Sequence, residues 1–367
     1  MTFTKTEYLC FLNTLFYDQA KRMTEIYKHY PSHDAFNAGI STAELSPTIQ
    51  KRQASFSPDR FQENCAKNDI KIITIMDADY PSLLKEIANP PLVLYYKGDQ
   101  KLFNDPCIAI VGPRKCSPYG KEVAKKMTEG LVGSFRIVSG LARGIDTIAH
   151  LATLKYDHPP IAVIGSGLDV IYPYENKDLF KKVAESGLLV SEFPLHTSPK
   201  PHHFPQRNRI ISGLSKGVLV CEAGLKSGSL LTAQMALEQN RDVFTCPGSI
   251  FSDYSKGPHQ LIKDGAILVQ SPQDILNELS PQLDLFSFAS ATEKNSPPSH
   301  DLSEEEQELL AHIAPCPISL ESLLSVSKKA VHEVLQVLSL LESKGIITQS
   351  RNHYSVCSHP SDCTIQV

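Results

Sequence analysis

No apolar run in the 367 residues approaches the ~20 that a membrane-spanning helix requires. The opening segment MTFTKTEYLC lacks the basic, apolar and small-residue order of a secretory signal. The nine cysteines stand singly, with no CxxC pair to hold zinc or cycle as a dithiol, so reduced thiols of a cytoplasmic protein are expected. Nucleotide signatures are missing too. The Gly165-Ser166-Gly167 turn lacks the third glycine of a dinucleotide fingerprint, and Leu225 stands where a P-loop has glycine before Lys226-Ser227. NAD and ordinary P-loop ATPase chemistry are therefore not expected. His150, His158 and the pair His202/His203 have no ligand spacing with cysteines or carboxylates, so neither a metal nor any other cofactor is expected. Nor does one sign of charge dominate. The 36 Lys and Arg face 40 Asp and Glu, a net of -4, which as an average speaks against a nucleic-acid partner.

What is present is an ordinary globular mixture, 41% hydrophobic and 21% charged, which excludes a disordered chain and leaves room for two or three domains. Residues 1–65 read as a helical N-terminal region, with Leu9, Leu12, Leu15 and Phe16 at helical spacing. Residues 66–280 follow as one α/β domain. IKIITI and PLVLYYKG read as strands separated by a helix and a Pro-Pro break. CIAIV, RIVSG, IAVIG, LLVSE, VLVCE, DVFTC and AILVQ then alternate with helical stretches. Such nearly unbroken apolar runs suit strands covered on both faces, so a doubly wound, Rossmann-like and mostly parallel sheet is expected. Residues 281–300 read as a linker and 301–367 as a small winged-helix-like domain. In that domain Ser303 would cap a helix opening on Glu304, Glu305 and Glu306. VSKKAVHEVLQVLSLLESKG would form one long helix stopped at Gly345, and a hairpin would turn around Ser350, Arg351 and Asn352.

Ligands of a parallel sheet bind at the carboxyl ends of its strands. The segments that follow them are Gly112-Pro113-Arg114, Ser139-Gly140 through Asp146, Gly165-Ser166-Gly167, the stretch through Lys200 and Phe204 into Arg207-Asn208-Arg209, and Glu222 through Ser229 to Thr232. Glycines, small hydroxyls and helix N-terminal amides suit an anion, and arginine adds bidentate phosphate recognition. Glycine after a strand also serves a plain tight turn, so no single loop is decisive. Charge sharpens the reading. Residues 107–216 hold 15 Lys and Arg against 9 Asp and Glu, a local net of +6. Within 200–216 Lys200, Arg207, Arg209 and Lys216 flank Phe204 with no acid between them. Cations that follow phosphates beside a ring that stacks a base are the pattern for a single strand. The competing reading is a solvated basic helix face with Phe204 as a core plug.

VGPRKCSPYG, VSGLARGIDTIAH, AVIGSGLDVIYPYEN, SEFPLHTSPKPHHFPQRNRIISGLS and EAGLKSGSLLTAQMALEQNRDVFTCPGS occur in one order at close spacing. Together they resemble the DNA-processing protein A (DprA/Smf) family over about residues 70–275, and the C-terminal stretch resembles that family's winged helix more loosely. The resemblance implies a non-enzymatic recombination mediator that binds single-stranded DNA, loads RecA recombinase onto it in natural transformation, and forms a homodimer through its Rossmann-like domain. It also implies a DNA pocket of Arg114, the Lys200–Phe204 stretch with His203, Arg207, Asn208 and Arg209, lined by Gly140, Ser229 and Thr232. Asp146 and Glu222 would be loop-ordering hydrogen-bond acceptors.

Three features depart from the family pattern. Pro113 stands where Thr or Ser is expected, the N-terminal region lacks a paired-glycine hairpin signature, and residues 301–350 carry 8 acids against 3 bases. The last makes the C-terminal module a better protein partner than a DNA reader. The Rossmann-like pattern also resembles nucleoside-monophosphate phosphoribohydrolases of the lysine-decarboxylase-like group. Their proline-double-glycine signature is replaced here by Glu222-Ala-Gly224-Leu-Lys226-Ser227-Gly228.

Overall fold

The computed structural model describes residues 3–279 and, beyond them, 303, 309–310, 313, 318–327, 331–344, 346–350 and 353–356. Two units are distinguished, 1–281 and 282–367. The first opens on helices α1 (Lys5–Phe16), α2 (Ala20–His29), α3 (His33–Gly39), α4 (Pro47–Ser55) and α5 (Pro58–Lys67). Thr4 starts α1 with a capping box: its hydroxyl accepts from the Glu7 amide, and the Glu7 carboxylate accepts from the Thr4 amide at 2.8 Å. Pro47 and Pro58 open α4 and α5, where a missing N–H costs nothing. Leu9, Leu12, Leu15 and Phe16 are all fully buried, as their helical spacing requires.

A sheet of nine strands follows. β1 (Lys71–Thr74), the short α6 (Ser82–Lys85) and β2 (Val93–Gly98) come first, and β1 pairs antiparallel with β2. Then β3 (Cys107–Val111), α7 (Pro118–Leu131), β4 (Arg136–Ser139), α8 (Ile145–Lys155), β5 (Ile161–Val163), α9 (Lys177–Ser186) and β6 (Leu188–Ser191) wind outward. The chain crosses back through α10 (His203–Gly213) to β7 (Gly217–Val220) and continues with α11 (Gly228–Glu238), β8 (Asp242–Thr245), α12 (Lys256–Lys263), β9 (Ile267–Leu268) and α13 (Pro272–Leu279). The spatial order is β1-β2-β6-β5-β4-β3-β7-β8-β9, parallel from β6 to β9, with β2 antiparallel to β6. All seven apolar runs expected as parallel strands are strands, and the order in which the chain adds them reverses between β3 and β7, where a crevice must open.

Leu84, Ile210, Ala233 and their neighbours cover one face of the sheet, and Met127, Phe135 and Ile145 lie among the residues that cover the other. The helical N-terminal region shares a core with the sheet: Tyr8, Leu12 and Phe16 pack in one cluster with Tyr95, Ala162 and Leu189. Asn13 fixes this junction. Its amide donates to the Glu192 carbonyl at 3.1 Å, and its own carbonyl accepts from the Tyr95 hydroxyl at 2.9 Å.

In the second unit Ile318–Ser319, Ile347–Ser350 and His353–Val356 form an antiparallel sheet with the last strand central. The single long helix expected over 326–345 is two elements. Val326 and Ser327 end a helix that begins at Leu320, and a second helix spans Val331–Ser343. Apolar spacing continues from Leu323 through Val334, Leu338 and Leu341, all buried, so periodicity does not separate the two elements; residues 328–330 between them lie outside the described residues. The expected linker 281–300, the acids Glu304, Glu305 and Glu306, the Gly345 stop and the Arg351-Asn352 turn lie outside the described residues. Among the described residues no helix is long and apolar enough to cross a membrane.

Asn13→Ala strands the Glu192 carbonyl and the Tyr95 hydroxyl in a buried junction, and each orphaned group costs about 1–3 kcal/mol. Urea unfolding of the variant is expected to show a loss within that range for each group. An unchanged midpoint would mean that the junction is not buried in solution.

Candidate nucleic-acid interface

A cleft of about 490 Å³ opens over the carboxyl ends of β3 and β7. Four segments wall it: the turn after β3 at Gly112–Arg114, the β4–α8 loop at Ala142 and Asp146, the 199–208 stretch that leads into α10, and the start of α11 at 227–232. Of the residues expected at a DNA site, Arg114, Lys200, Phe204, Arg207, Asn208, Ser229 and Thr232 line this one cleft. Gly140 lies beneath it, bordering a smaller recess that Arg207 and Phe204 share.

Two expected residues are not brought there. Arg209 is buried and its guanidinium pairs with Glu192 at 2.6 Å, while His203 is fully buried with its ring stacked on Phe193 at 4.3 Å. Both are corrections, with different causes: His203, the first residue of α10, packs its ring against Phe193 and Tyr17, whereas Arg209 is turned away by the rotation of the helix. Positions two apart on a helix point about 200° from each other, so the face of α10 that presents Arg207 turns Arg209 away. Phe204, Arg207, Asn208 and Ile211 share the cleft face at helical spacing.

Arg207 is the centre of the floor. Its Nη1 donates to the Val163 carbonyl at 2.9 Å, and its buried Nε has no partner among the described residues. Burial pushes its pKa down to about 10, against the pull of Asp146, so it stays charged at neutral pH. Gly140 is there because nothing larger fits: a Cβ would lie 1.7 Å from the Arg207 Nη1. Asp146 accepts from the Gly140 amide at 3.1 Å and the Ala142 amide at 3.3 Å. Burial raises its pKa, while Arg207 and these amides oppose the rise. Glu222 accepts from the Ser117 amide at 3.0 Å and so secures the start of α7. Both carboxylates are thus committed to ordering loops. Pro113 keeps a role despite its missing N–H, since its carbonyl packs where any Cβ on Gly144 would stand 2.2 Å away, and Gly144 has φ +77°.

Above the floor stands Phe204, half-buried, with the exposed Arg114 guanidinium 4.9 Å from its ring centroid and Tyr172 at 5.6 Å. It is a wall of the cleft and not a core plug. Tyr172 was not among the expected site residues, although it sits within AVIGSGLDVIYPYEN; only the fold shows that it meets Phe204. α10 and α11 both begin at the cleft with no acid in their first turns, so their amide dipoles meet no internal counter-charge. Ser227 caps α11, its hydroxyl within 2.7 Å of the Ser229 hydroxyl.

His150, on α8, is fully buried, neither ring nitrogen has a hydrogen-bond partner among the described residues, and burial, followed by the charge of Arg207, lowers its pKa to about 3. The unfolded chain takes that proton near pH 6.5 and the folded one only near 3. Its contribution to stability is therefore complete above pH 6.5 and is lost as pH falls through that window, by about 1.4 kcal/mol per pH unit. Asp146 and Glu192, raised by burial, act in the opposite sense, so the difference between variants is the quantity to measure. Between pH 6 and 4.5, His150→Gln is expected to lose stability more slowly than the wild type by about that increment. Parallel stability–pH curves would contradict a neutral buried His150.

Comparison with known proteins places this geometry. Residues 71–280 match the family model of DNA recombination-mediator protein A, and 293–351 match the DprA winged helix domain. DNA processing protein DprA of Streptococcus pneumoniae is 49% identical over 205 residues, 56% of this chain and 73% of that protein. Protein Smf of Synechocystis is 37% identical over 326 residues, covering 80% of this chain and 82% of that protein. Among solved structures, DprA of Streptococcus pneumoniae superposes with a TM-score of 0.66 at 37% identity, over 76% of this chain and 99% of that one. DNA processing protein A of Helicobacter pylori, solved for its single-stranded DNA binding mode, gives 0.52 at 32% identity, over 57% of this chain and 95% of that one. The chain belongs to the DNA recombination-mediator protein A family.

Proposed function

We propose that the protein binds single-stranded DNA in the β3–β7 cleft and loads a RecA-type recombinase on the bound strand during natural transformation. The observation that carries this reading is the make-up of one cleft. Arg114, Lys200 and Arg207 supply cations for phosphates, Phe204 with Tyr172 supplies a stacking wall, and two helix N-termini with no acid in their first turns add the positive ends of their dipoles. Cations that displace counterions give affinity without regard to sequence, and every base has a face that a ring can stack. The single-strand binding of the Helicobacter pylori relative supports the same ligand. Because Asp146 and Glu222 are both occupied by backbone amides, the cleft is suited to binding and not to acid–base catalysis. A strand held by phosphates and one or two stacked bases leaves its remaining bases free to a recombinase. A cytoplasmic homodimer joined through the first unit belongs to the same reading, and light scattering tests the dimer.

Binding to an oligothymidylate across a salt series tests the ligand. The slope of log K against log salt is expected at about -0.7 per phosphate contacted. Arg114→Ala and Arg207→Ala should each make it shallower, whereas Phe204→Ala should leave the slope and cost about 1–3 kcal/mol of binding. Unaltered slopes in both arginine variants would place the strand elsewhere. Loading is tested separately: RecA filament formation on a pre-bound strand should accelerate, and an unchanged rate removes that step.

A further inference from the structure

We infer that the β5–α9 segment carries a second strand-binding subsite, in which Arg143 exchanges Glu175 for a phosphate and the Tyr174 ring stacks the neighbouring base. The inference rests on the cleft being the single-strand site, and it adds residues that lie outside the cleft itself. A narrow recess joins the two. Arg143 lines that recess together with Arg114, Tyr172, Phe204 and Arg207, all four of which also line the cleft. The chain fixes Tyr174 at the same place. The single 3-10 turn Tyr174–Asn176 follows directly on Tyr172 and Pro173, and its last residue, Asn176, is buried. The Asn176 amide donates to the Leu141 carbonyl and to the Thr147 hydroxyl, both at 2.9 Å, and that hydroxyl donates to the Ala142 carbonyl at 2.7 Å. Ala142 lines both the cleft and the recess, so the turn is stapled to a loop that walls the cleft.

Glu175 is the acid that answers Arg143. Its carboxylate accepts from the Arg143 Nη2, and the two side chains are 62% and 50% exposed. An ion pair so open to water adds little to stability. A guanidinium meets a phosphate with the same fork that meets a carboxylate, so a phosphate arriving along the recess takes the carboxylate's place while Glu175 returns to water. Beside this pair stands the open ring. Tyr174 is 71% exposed, and its hydroxyl has no hydrogen bond among the described residues. The Lys177 Nζ lies 5.5 Å from the ring centroid, and Lys177 has no ion pair among the described residues. A ring this exposed contributes nothing to a core, whereas a ring beside a free cation is the pair that stacks a base and follows its phosphate. The other acid here is Asp178, exposed in the first turn of α9 and about 100° around the helix from Lys177. It holds no arginine among the described residues.

The test uses the full chain and an oligothymidylate of roughly sixteen nucleotides, long enough to run beyond the cleft. Glu175→Gln releases Arg143, so it should tighten binding by up to about fivefold, the strength of an exposed ion pair, and steepen the salt slope by about 0.7. Asp178→Asn removes the neighbouring acid without releasing an arginine, and should leave that slope alone. Tyr174→Leu should weaken binding about fivefold or more, while Tyr174→Phe keeps the ring and the affinity. These three positions are exposed, so none of the changes disturbs the core. Wild-type affinity and slope in Glu175→Gln, an equally steepened slope in Asp178→Asn, or full binding by Tyr174→Leu would each overturn the subsite. Lys200→Ala reports on the cleft alone, since Lys200 lines the cleft and not the recess. If it too binds as the wild type does, the cleft reading fails; if only it weakens binding, the cleft stands without the subsite.

Discussion

A guanidinium that is only 4% exposed lies across the carboxyl ends of parallel strands, and the surrounding residues are arranged around its desolvation. Moving Arg207 out of water is costly unless opposite charge and hydrogen bonds compensate. The Val163 carbonyl takes one donor, Asp146 supplies the facing charge, and the amides of Gly140 and Ala142 keep that carboxylate ionisable. Each partner constrains the next. Gly140 must lack a side chain, and His150 below must stay neutral, since a second cation beside Arg207 would have no counterpart. The cleft floor is thus one electrostatic unit and not a set of independent contacts.

Much of this architecture was legible in the sequence because its physics is local. Unbroken apolar runs such as Cys107–Val111 can only be strands covered on both faces, and glycines with hydroxyls after them mark the rim where helix N-termini gather. The +6 of residues 107–216 was visible once the charge was counted by segment. What failed was direction. Arg207 and Arg209 are equivalent in composition, and only the rotation of α10 sends one to the cleft and the other to Glu192. His203 failed for another reason: its ring is taken up by Phe193 and by Tyr17, a residue of the distant N-terminal region. Tyr172 escaped notice because its partner, Phe204, is 32 positions along the chain and no periodicity links them. In the second unit, apolar spacing runs on through both helical elements and does not separate them.

The N-terminal helices show how a region that looks appended becomes part of the domain. Their apolar face packs on the sheet with Tyr95 and Leu189, and Asn13 reaches the backbone at Glu192, next to the ion pair that anchors the far side of α10. α10 is therefore held at two points on its side away from the cleft. Arg209 ties it to the end of β6, and the Tyr17 carbonyl holds Gln206. A helix fixed in this way has little freedom to rotate, so the side chains on its cleft face are presented in a set register, a form of preorganisation that lowers the entropy lost on binding.

The strand order has a consequence for the life of the chain before it is complete. β3 and β7 pair in register, Ile108 beside Gly217, across more than a hundred residues that must first lay down β4, β5 and β6. Pairings this distant in sequence are slow to form, because the loop entropy is lost before the contacts return anything. While the polypeptide is still being synthesised, Arg114 and Lys200 can leave the ribosome as ordinary solvated cations, but no crevice exists until α11 has followed β7 into place. A half-made chain therefore carries the cations of the cleft without its shape.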